Sequence, residues 1–272
     1  MKQITVMVHG ALGKVGREII SGVSRTPDLS LVGAVDIQAT RDVLDLPEFG
    51  KNVPLANNLS SFLQSCHPQV IVDFSVAEAA IAAAHIALKQ GVHMVIGTTG
   101  ISDSKVDEID RLARANNVGV VMAPNFALGA VVLMHLARIA AKYFDHAEIV
   151  ELHHNQKVDA PSGTALATAQ GMLKSRGKPF LYTPTKKENL PGTRGGQVEG
   201  ITIHSVRLPG LVASEEVVFG GDGQTLTLRH DTINRECFVP GIILAIREVV
   251  NAKGLVYGLE QLLHLGGDNE GI

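Results

Sequence analysis

The 272-residue chain has a formal charge of −3, with 45% hydrophobic and 19% charged residues, which is enough to bury a substantial core as one large domain or two modest ones. This balance gives no bulk attraction to nucleic acid or to an acidic membrane surface, and no segment approaches the ~20 apolar residues of a membrane span. Cys66 and Cys237 are too far apart in sequence for a metal knuckle or a CxxC pair and read as free thiols in a reducing compartment; the N-terminal apolar run is too short for a signal peptide and is broken by His9, so the expected location is cytoplasmic.

In chain order, "ITVMV" (4–8) is a strand by composition, a helix follows from about Lys14, and "LSLVGAV" (29–35) is a second strand. After an irregular stretch come a strand at "VIVDF" (70–74), an Ala-rich helix from about Ala77 to Lys89 closed by Gly91, and a strand at "HMVIGTT" (93–99). Ser102 is placed to cap a helix running to about Asn116, followed by "VGVVMAP" (118–124). This βαβ repetition predicts an α/β fold with a parallel sheet covered on both faces.

Beyond Asn125 the pattern changes. "LGAVVLMHLARIAAKYF" (128–144) predicts a long helix, "AEIVELHH" (147–154) a strand, and a helix starts near Ser162. Three stretches rich in Val, Ile and Thr, "GITIHSVRL", "ASEEVVFGG" and "QTLTLRHDT", fit antiparallel strands, giving an α+β second half with a mainly antiparallel sheet of its own. The Gly/Pro-rich charged stretch "TPTKKENLPGTRGGQVEG" before them reads as a mobile loop. "FVPGIILAIREVVNA" (238–252) is helical, and periodicity does not say which domain it joins.

Gly10, Gly13 and Gly16 in "VMVHGALGKVGREII" fall between a strand and a helix, where glycines let the backbone approach a pyrophosphate and the helix start offers free N–H groups. A tight strand-to-helix turn alone also needs glycine. Context favours a dinucleotide, because Asp36 stands twenty residues past Gly16 at the end of the second strand, where a carboxylate accepts hydrogen bonds from an adenosine ribose. "GTTG" (97–100) and "APNF" (123–126) fall at the carboxyl ends of further strands, the ligand edge of open α/β sheets, although Gly, Thr and Asn are also ordinary turn residues.

The stretch "ELHHNQKVDAPSGTA" (151–165) gathers two imidazoles, His153 and His154, the cation Lys157, and a helix start at Ser162, Gly163 and Thr164. A helix N-terminus is a seat for a carboxylate or phosphate, and His and Lys can move a proton, so the run suits an anionic substrate that must be protonated. The alternatives are structural histidines and Ser162 as a plain N-cap. A metal completed by His204 or His230 is disfavoured by the adjacent spacing of the two histidines.

Together "VHGALGKVG", "DFS" (73–75), "GTTG", "APNF" and above all "ELHHNQKVDAPSGTAL" resemble the 4-hydroxy-tetrahydrodipicolinate reductase (dihydrodipicolinate reductase) family over nearly the whole chain. The resemblance implies a Rossmann-like cofactor domain at 1–126 and 235–272, and a substrate and oligomerisation domain at 127–234. It implies NADH or NADPH bound by Gly10, Ala11, Leu12, Gly13, Lys14 and Val15 at the pyrophosphate and by Asp36 at the ribose, with Gly97, Thr98, Thr99, Ala123, Pro124, Asn125 and Phe126 on the nicotinamide side. It implies His153 as general acid/base, His154 as a substrate ligand, Lys157 as a proton donor, and Gly163 with Thr164 gripping a carboxylate of a cyclic dicarboxylate. No metal, nucleic acid or membrane partner follows from it, and a homotetramer does. In some members an arginine follows the acidic residue and pairs with the 2′-phosphate of NADPH; here Ile37 follows Asp36 and Lys14 is the nearby cation, which leaves the choice of cofactor open.

Overall fold

The structure, a computed structural model, describes residues 3–265; the ends of the expected cofactor domain, 1–2 and 266–272, lie outside the described residues. The chain divides into two compact units, Met1–Leu128 with Arg235–Ile272, and Gly129–Asn234. In chain order the elements are β1 (Ile4–His9), α1 (Lys14–Arg25), β2 (Leu29–Val35), β3 (Val43–Leu46), β4 (Lys51–Ala56), α2 (Leu59–Phe62) and β5 (Val70–Asp73). They continue with α3 (Ala77–Ala87), β6 (His93–Ile96), α4 (Asp103–Ala115), β7 (Gly119–Met122), α5 (Leu128–Ala140), β8 (His146–His153) and α6 (Gly163–Arg176). Last come β9 (Gly196–Val198), β10 (Ile201–Arg207), β11 (Ala213–Gly221), β12 (Gln224–Thr232), α7 (Val239–Val249), β13 (Gly254–Tyr257) and α8 (Leu259–Leu262).

In the first unit eight strands form one sheet in the order β13-β7-β6-β5-β1-β2-β4-β3, parallel except for β3 against β4. Strands covered on both faces carry continuous apolar runs, and β5 and β7 are buried at every position. On one face the Ala-rich α3 and the amphipathic α4 seal Met7, Ile71, Met94 and Val120. α7 packs on α1, where Gly22 leaves no room for a Cβ against Val239, so the helix whose domain periodicity left open belongs to this unit. The order reverses at β1, which lies between β2 and β5; open α/β sheets bind ligands outside the carboxyl ends of the strands at such a point.

Three readings of this half are corrected. The irregular stretch after β2 contains β3 and β4. The strand expected at 93–99 ends at Ile96, leaving Gly97–Thr99 as loop. Ser102 occupies the N-cap position of α4, but its hydroxyl makes no capping bond and pairs with Ser104 instead.

The second unit has two layers. Its sheet runs β12-β11-β8-β10-β9, and α5 and α6 pack on one face around Leu133, Ala169, Met172, Ile149, Ile203, Val217 and Phe219. Most pairs are antiparallel, but β10 runs parallel to β8, because α6 and the following loop return the chain to the same end, as a parallel pair requires. β9 lies within the stretch expected to be a loop.

Candidate functional site

In the first unit, all the residues expected to hold the nucleotide fall at the carboxyl edge of the parallel sheet. Gly10 has φ of +80°, and an added Cβ would meet the Phe74 carbonyl oxygen at 2.6 Å; one on Gly16 would meet the Gly10 carbonyl oxygen at 2.1 Å. Gly13 is the N-cap of α1 and supplies no side-chain cap, so the first N–H groups of α1, including those of Lys14 and Val15, have no intrahelical acceptor. The cradle that a Cβ would fill and these spare donors fit a pyrophosphate. Gly10 and Ala11 donate to the Val35 carbonyl at 2.9 and 3.1 Å, fixing the loop on β2. Asp36, nearly buried, accepts from the Leu12 N–H at 2.9 Å and from the Gln38 N–H at 2.9 Å; each oxygen retains a lone pair for a ribose hydroxyl.

Beside Asp36 a cavity of about 320 Å³ is lined by Leu12, Gln38, Thr40, Arg41 and Asp45, among others, and a second of about 290 Å³ by Ala11, Leu12, Arg17, Ser21 and Glu48. Lys14 lines neither; Arg41 and Arg17 are the cations there. Arg41 was missed from sequence because it lies five residues past Asp36, in a bend that brings it back to the loop.

The end of β1 and the loops after β5 and β6 share one hub. Asp73, wholly buried, accepts from the Thr98 hydroxyl at 2.6 Å and the Ser75 hydroxyl at 3.0 Å, and pairs with His9 Nδ1 at 2.5 Å. The Thr98 hydroxyl is therefore engaged within the protein and also accepts from the Ser75 N–H at 2.9 Å, while Thr99 and Pro124 are exposed. Gly97 leaves room for the Phe74 ring, which packs on the buried Phe126 at 5.6 Å between centroids. Asn125 Oδ1 accepts from the Ala127 N–H at 2.9 Å, and the Ala123 N–H donates to the Ile96 carbonyl at 3.2 Å.

In the second unit β8 ends at His153, and His154 begins the turn, so only His153 keeps the strand's facing. The Ser162 hydroxyl caps α6 by accepting from the Ala165 N–H at 3.1 Å, which is the N-cap reading of that residue. Gly163 and Thr164, the first two residues of α6, have N–H groups without an intrahelical acceptor, and the space before Gly163 is open. Lys157 is held by Asp159 at 2.7 Å, and its N–H donates to the His154 carbonyl at 3.2 Å.

Two residues not singled out from sequence organise this corner. Glu151, 0% exposed, accepts from His153 Nδ1 at 2.6 Å through one oxygen and from the Ser162 N–H at 3.2 Å through the other. Arg207 donates to both oxygens, at 2.9 and 2.7 Å, and to the Asp159 carbonyl at 2.8 Å. One carboxylate thus joins the imidazole to the start of α6. Burial alone raises the Glu151 carboxyl, but the hydrogen bonds from Arg207, Ser205 and His153 outweigh it and hold the group below the usual glutamate range. Burial lowers His153, partly countered by Glu151, with Lys157 and Arg207 adding to the lowering. Glu151 was discoverable, since residues two apart on a strand share a face; the Arg207 pairing is cross-strand and leaves no local signal. His204, weighed as a metal ligand, pairs with Glu148 at 2.8 Å.

Two family models match the chain, "Dihydrodipicolinate reductase, N-terminus" over residues 4–126 and "Dihydrodipicolinate reductase, C-terminus" over 129–263. A 4-hydroxy-tetrahydrodipicolinate reductase of Dehalococcoides mccartyi is 49% identical over 97% of this chain and 100% of its own length. One of Moorella thermoacetica is 50% identical over 96% and 98%. A solved dipicolinate-bound dihydrodipicolinate reductase from a Paenisporosarcina species superposes with a TM-score of 0.85 at 41% identity, covering 95% of this chain and 99% of that one. An amine dehydrogenase from Mycobacterium smegmatis, at TM-score 0.64 and 16% identity, shares the fold.

Proposed function

The chain belongs to the dihydrodipicolinate reductase family, and from that premise we propose how its residues divide the work of a 4-hydroxy-tetrahydrodipicolinate reductase. The enzyme removes water from the hydroxylated ring of 4-hydroxy-tetrahydrodipicolinate and reduces the resulting conjugated bond, giving tetrahydrodipicolinate in the diaminopimelate route to lysine. A reduced pyridine nucleotide supplies the hydride. Gly10 to Val15 hold its pyrophosphate, Asp36 its adenosine ribose, and Gly97 to Thr99 with Ala123 to Phe126 border its nicotinamide. The Thr98 side chain acts there through Asp73, because its hydroxyl is already bonded to that carboxylate.

On the substrate side, the free N–H groups of Gly163 and Thr164 and the Thr164 hydroxyl bind one ring carboxylate, as dipicolinate-like dicarboxylates require, and His154 contacts the ring from the turn. His153, held toward its neutral form, exchanges protons through Nε2, while the Lys157 ammonium protonates the electron-rich enamine left on the substrate. The observation that carries this reading is the single Glu151 carboxylate bonded to both His153 and the N-cap residue of α6, Ser162, since it puts a proton carrier beside an anion seat.

NADH is used at least as well as NADPH, because Asp36 repels a 2′-phosphate and is pinned by two backbone N–H groups; Arg41 offsets that repulsion enough for NADPH to be accepted. The assembly is a homotetramer built through the second unit, and the location is cytoplasmic, where the reductant is. The test of the site is absorbance loss at the nicotinamide band with freshly made substrate. His153→Ala and Lys157→Ala each lower kcat by roughly 10²–10⁴-fold, the span of a lost general acid or base, with cofactor affinity near wild type. Normal turnover by either variant removes that residue from the mechanism.

A further inference from the structure

Glu151 is the one wholly buried carboxylate of the second unit among the described residues, and it takes donors on both oxygens, His153 Nδ1 and Arg207 Nη1 on one, Arg207 Nη2 and the Ser162 N–H on the other, with the Ser205 hydroxyl a further donor. An ion pair that buries its carboxylate this deeply adds little net stability by itself. Its placement instead matches what an imidazole needs to carry protons from a defined atom. Glu151 and His153 share a face of β8, two residues apart, and Arg207 is the direct neighbour of His153 on β10. An ionised carboxylate has only acceptors, so the hydrogen of a neutral His153 must sit on Nδ1, leaving a lone pair on Nε2.

We propose that Glu151 is the positioning residue of His153: it fixes the tautomer and the ring plane so that Nε2 is the atom that exchanges protons with substrate, and Arg207 locks the carboxylate in place. The inference rests on the reading of His153 as a proton carrier. The other groups facing Glu151 are consistent with it. Opposite it on β11 stands Glu215, whose carboxyl is raised by burial, partly countered by a Thr168 hydrogen bond, with the charge of Glu151 pushing the same way. Lys157 and Asp159 in the turn neutralise one another.

Glu151→Gln makes a specific alteration. The oxygen facing the Ser162 N–H and Arg207 Nη2 must remain an oxygen, because both partners are obligate donors. The new amide nitrogen takes the other position, where the bond from Arg207 Nη1 is lost because only one obligate donor is displaced there instead of two, and it donates to His153 Nδ1, which moves the imidazole hydrogen to Nε2 and removes the lone pair. Loss of the anion also withdraws the interaction that raises His153, so its protonation shifts to lower pH.

The experiment is ¹⁵N spectroscopy of histidine-labelled protein, with the His153 signal assigned by its loss in His153→Ala, alongside kinetics across pH. In the wild type His153 is the Nδ1–H tautomer; an Nε2–H tautomer overturns the proposal without recourse to any variant. In Glu151→Gln the tautomer reverses, kcat falls by about 10²–10⁴-fold, the acid limb of kcat moves to lower pH, and cofactor affinity stays within about threefold. A folded Glu151→Gln with wild-type kcat overturns the proposal, as does a lower kcat with the tautomer unchanged, which marks a structural role. His153→Ala separates the two readings: full turnover in that variant sinks the assignment of His153 itself, whereas an inactive His153→Ala beside an active Glu151→Gln sinks the role of Glu151 alone.

Discussion

Thr164 opens α6 with an unsatisfied N–H and a half-buried side chain, so its hydroxyl can add one charge-assisted bond to a carboxylate. Thr164→Val keeps the shape and loses that bond, worth ~1.5–3 kcal/mol, and raises KM for the substrate by roughly ten- to a hundredfold. Cofactor affinity is the control, and equal weakening of both would assign Thr164 to folding. A second residue-scale contrast concerns Ile37, 88% exposed, and Arg41 on the cavity beside Asp36. Ile37→Arg places a guanidinium fork where a 2′-phosphate would sit and improves kcat/KM with NADPH, while Arg41→Ala lowers it by about fivefold, the scale of an exposed ion pair. NADH values change little in both. The comparison needs fixed ionic strength because salt screens the contact. A wild-type preference for NADPH above about tenfold, equivalent to ~1.4 kcal/mol, would mean that Asp36 does not govern the choice.

In the proposed cofactor site the nucleotide lies at the start of α1, and the packing of the helix lies further along. Gly16→Ala would push a Cβ to 2.1 Å from the Gly10 carbonyl oxygen, backbone against backbone, whereas Gly22→Ala meets the Val239 side chain on α7 at 2.2 Å. Both cost stability, on the order of 1–3 kcal/mol for overpacking, but only Gly16→Ala displaces the loop and weakens cofactor binding, read by titration of NADH fluorescence. Equal affinity loss in the two variants would show that general destabilisation, not the loop, is responsible. The glycine loop was legible in sequence from its spacing between a strand and a helix. β3 and β4 were not: each is short, β3 is the edge strand and β4 beside it contains Pro54, and neither has the continuous apolar run of the central strands. β13 is four residues long and follows α7 closely, so no separate period announces it. The direction of β10 is likewise absent from its composition, since a parallel and an antiparallel strand bury alternate residues alike. At the site, the His-Lys-helix run was plain from its local spacing, while the clamp of Arg207 on Glu151 exists only once β10 lies beside β8.

At the scale of the whole molecule, both helices of the second unit pack on one face of its sheet, and the opposite face presents Val150, Leu152, Val206 and Val218 among the pairs Glu148–His204 and Glu216–Arg229. A second copy covering that face is the basis of the expected tetramer, and light scattering should give four times the 28.9 kDa chain mass; Val218→Glu should reduce it, while a wild-type monomer would remove the assembly reading. Stability against pH tests the buried charges together. His93, His153 and His230 are all lowered from 6.5, chiefly by burial, and His93 Nδ1 is already accepting the Gly119 N–H at 2.9 Å. Below pH 6.5 the unfolded chain binds protons that the folded chain refuses at these three sites, so stability falls as pH falls. Glu215 acts in the opposite sense: raised by burial from 4.5, it keeps in the folded chain a proton that the unfolded chain releases, and its contribution is present at low pH and lost as pH rises through its folded value. Three groups against one give a lower Tm at pH 5.5 than at pH 7.5, measured by calorimetry at constant salt. Glu215→Gln removes the opposing group and should steepen that fall; a Tm that stays level or rises on acidification in this variant would show that the three imidazoles are not held neutral by the fold.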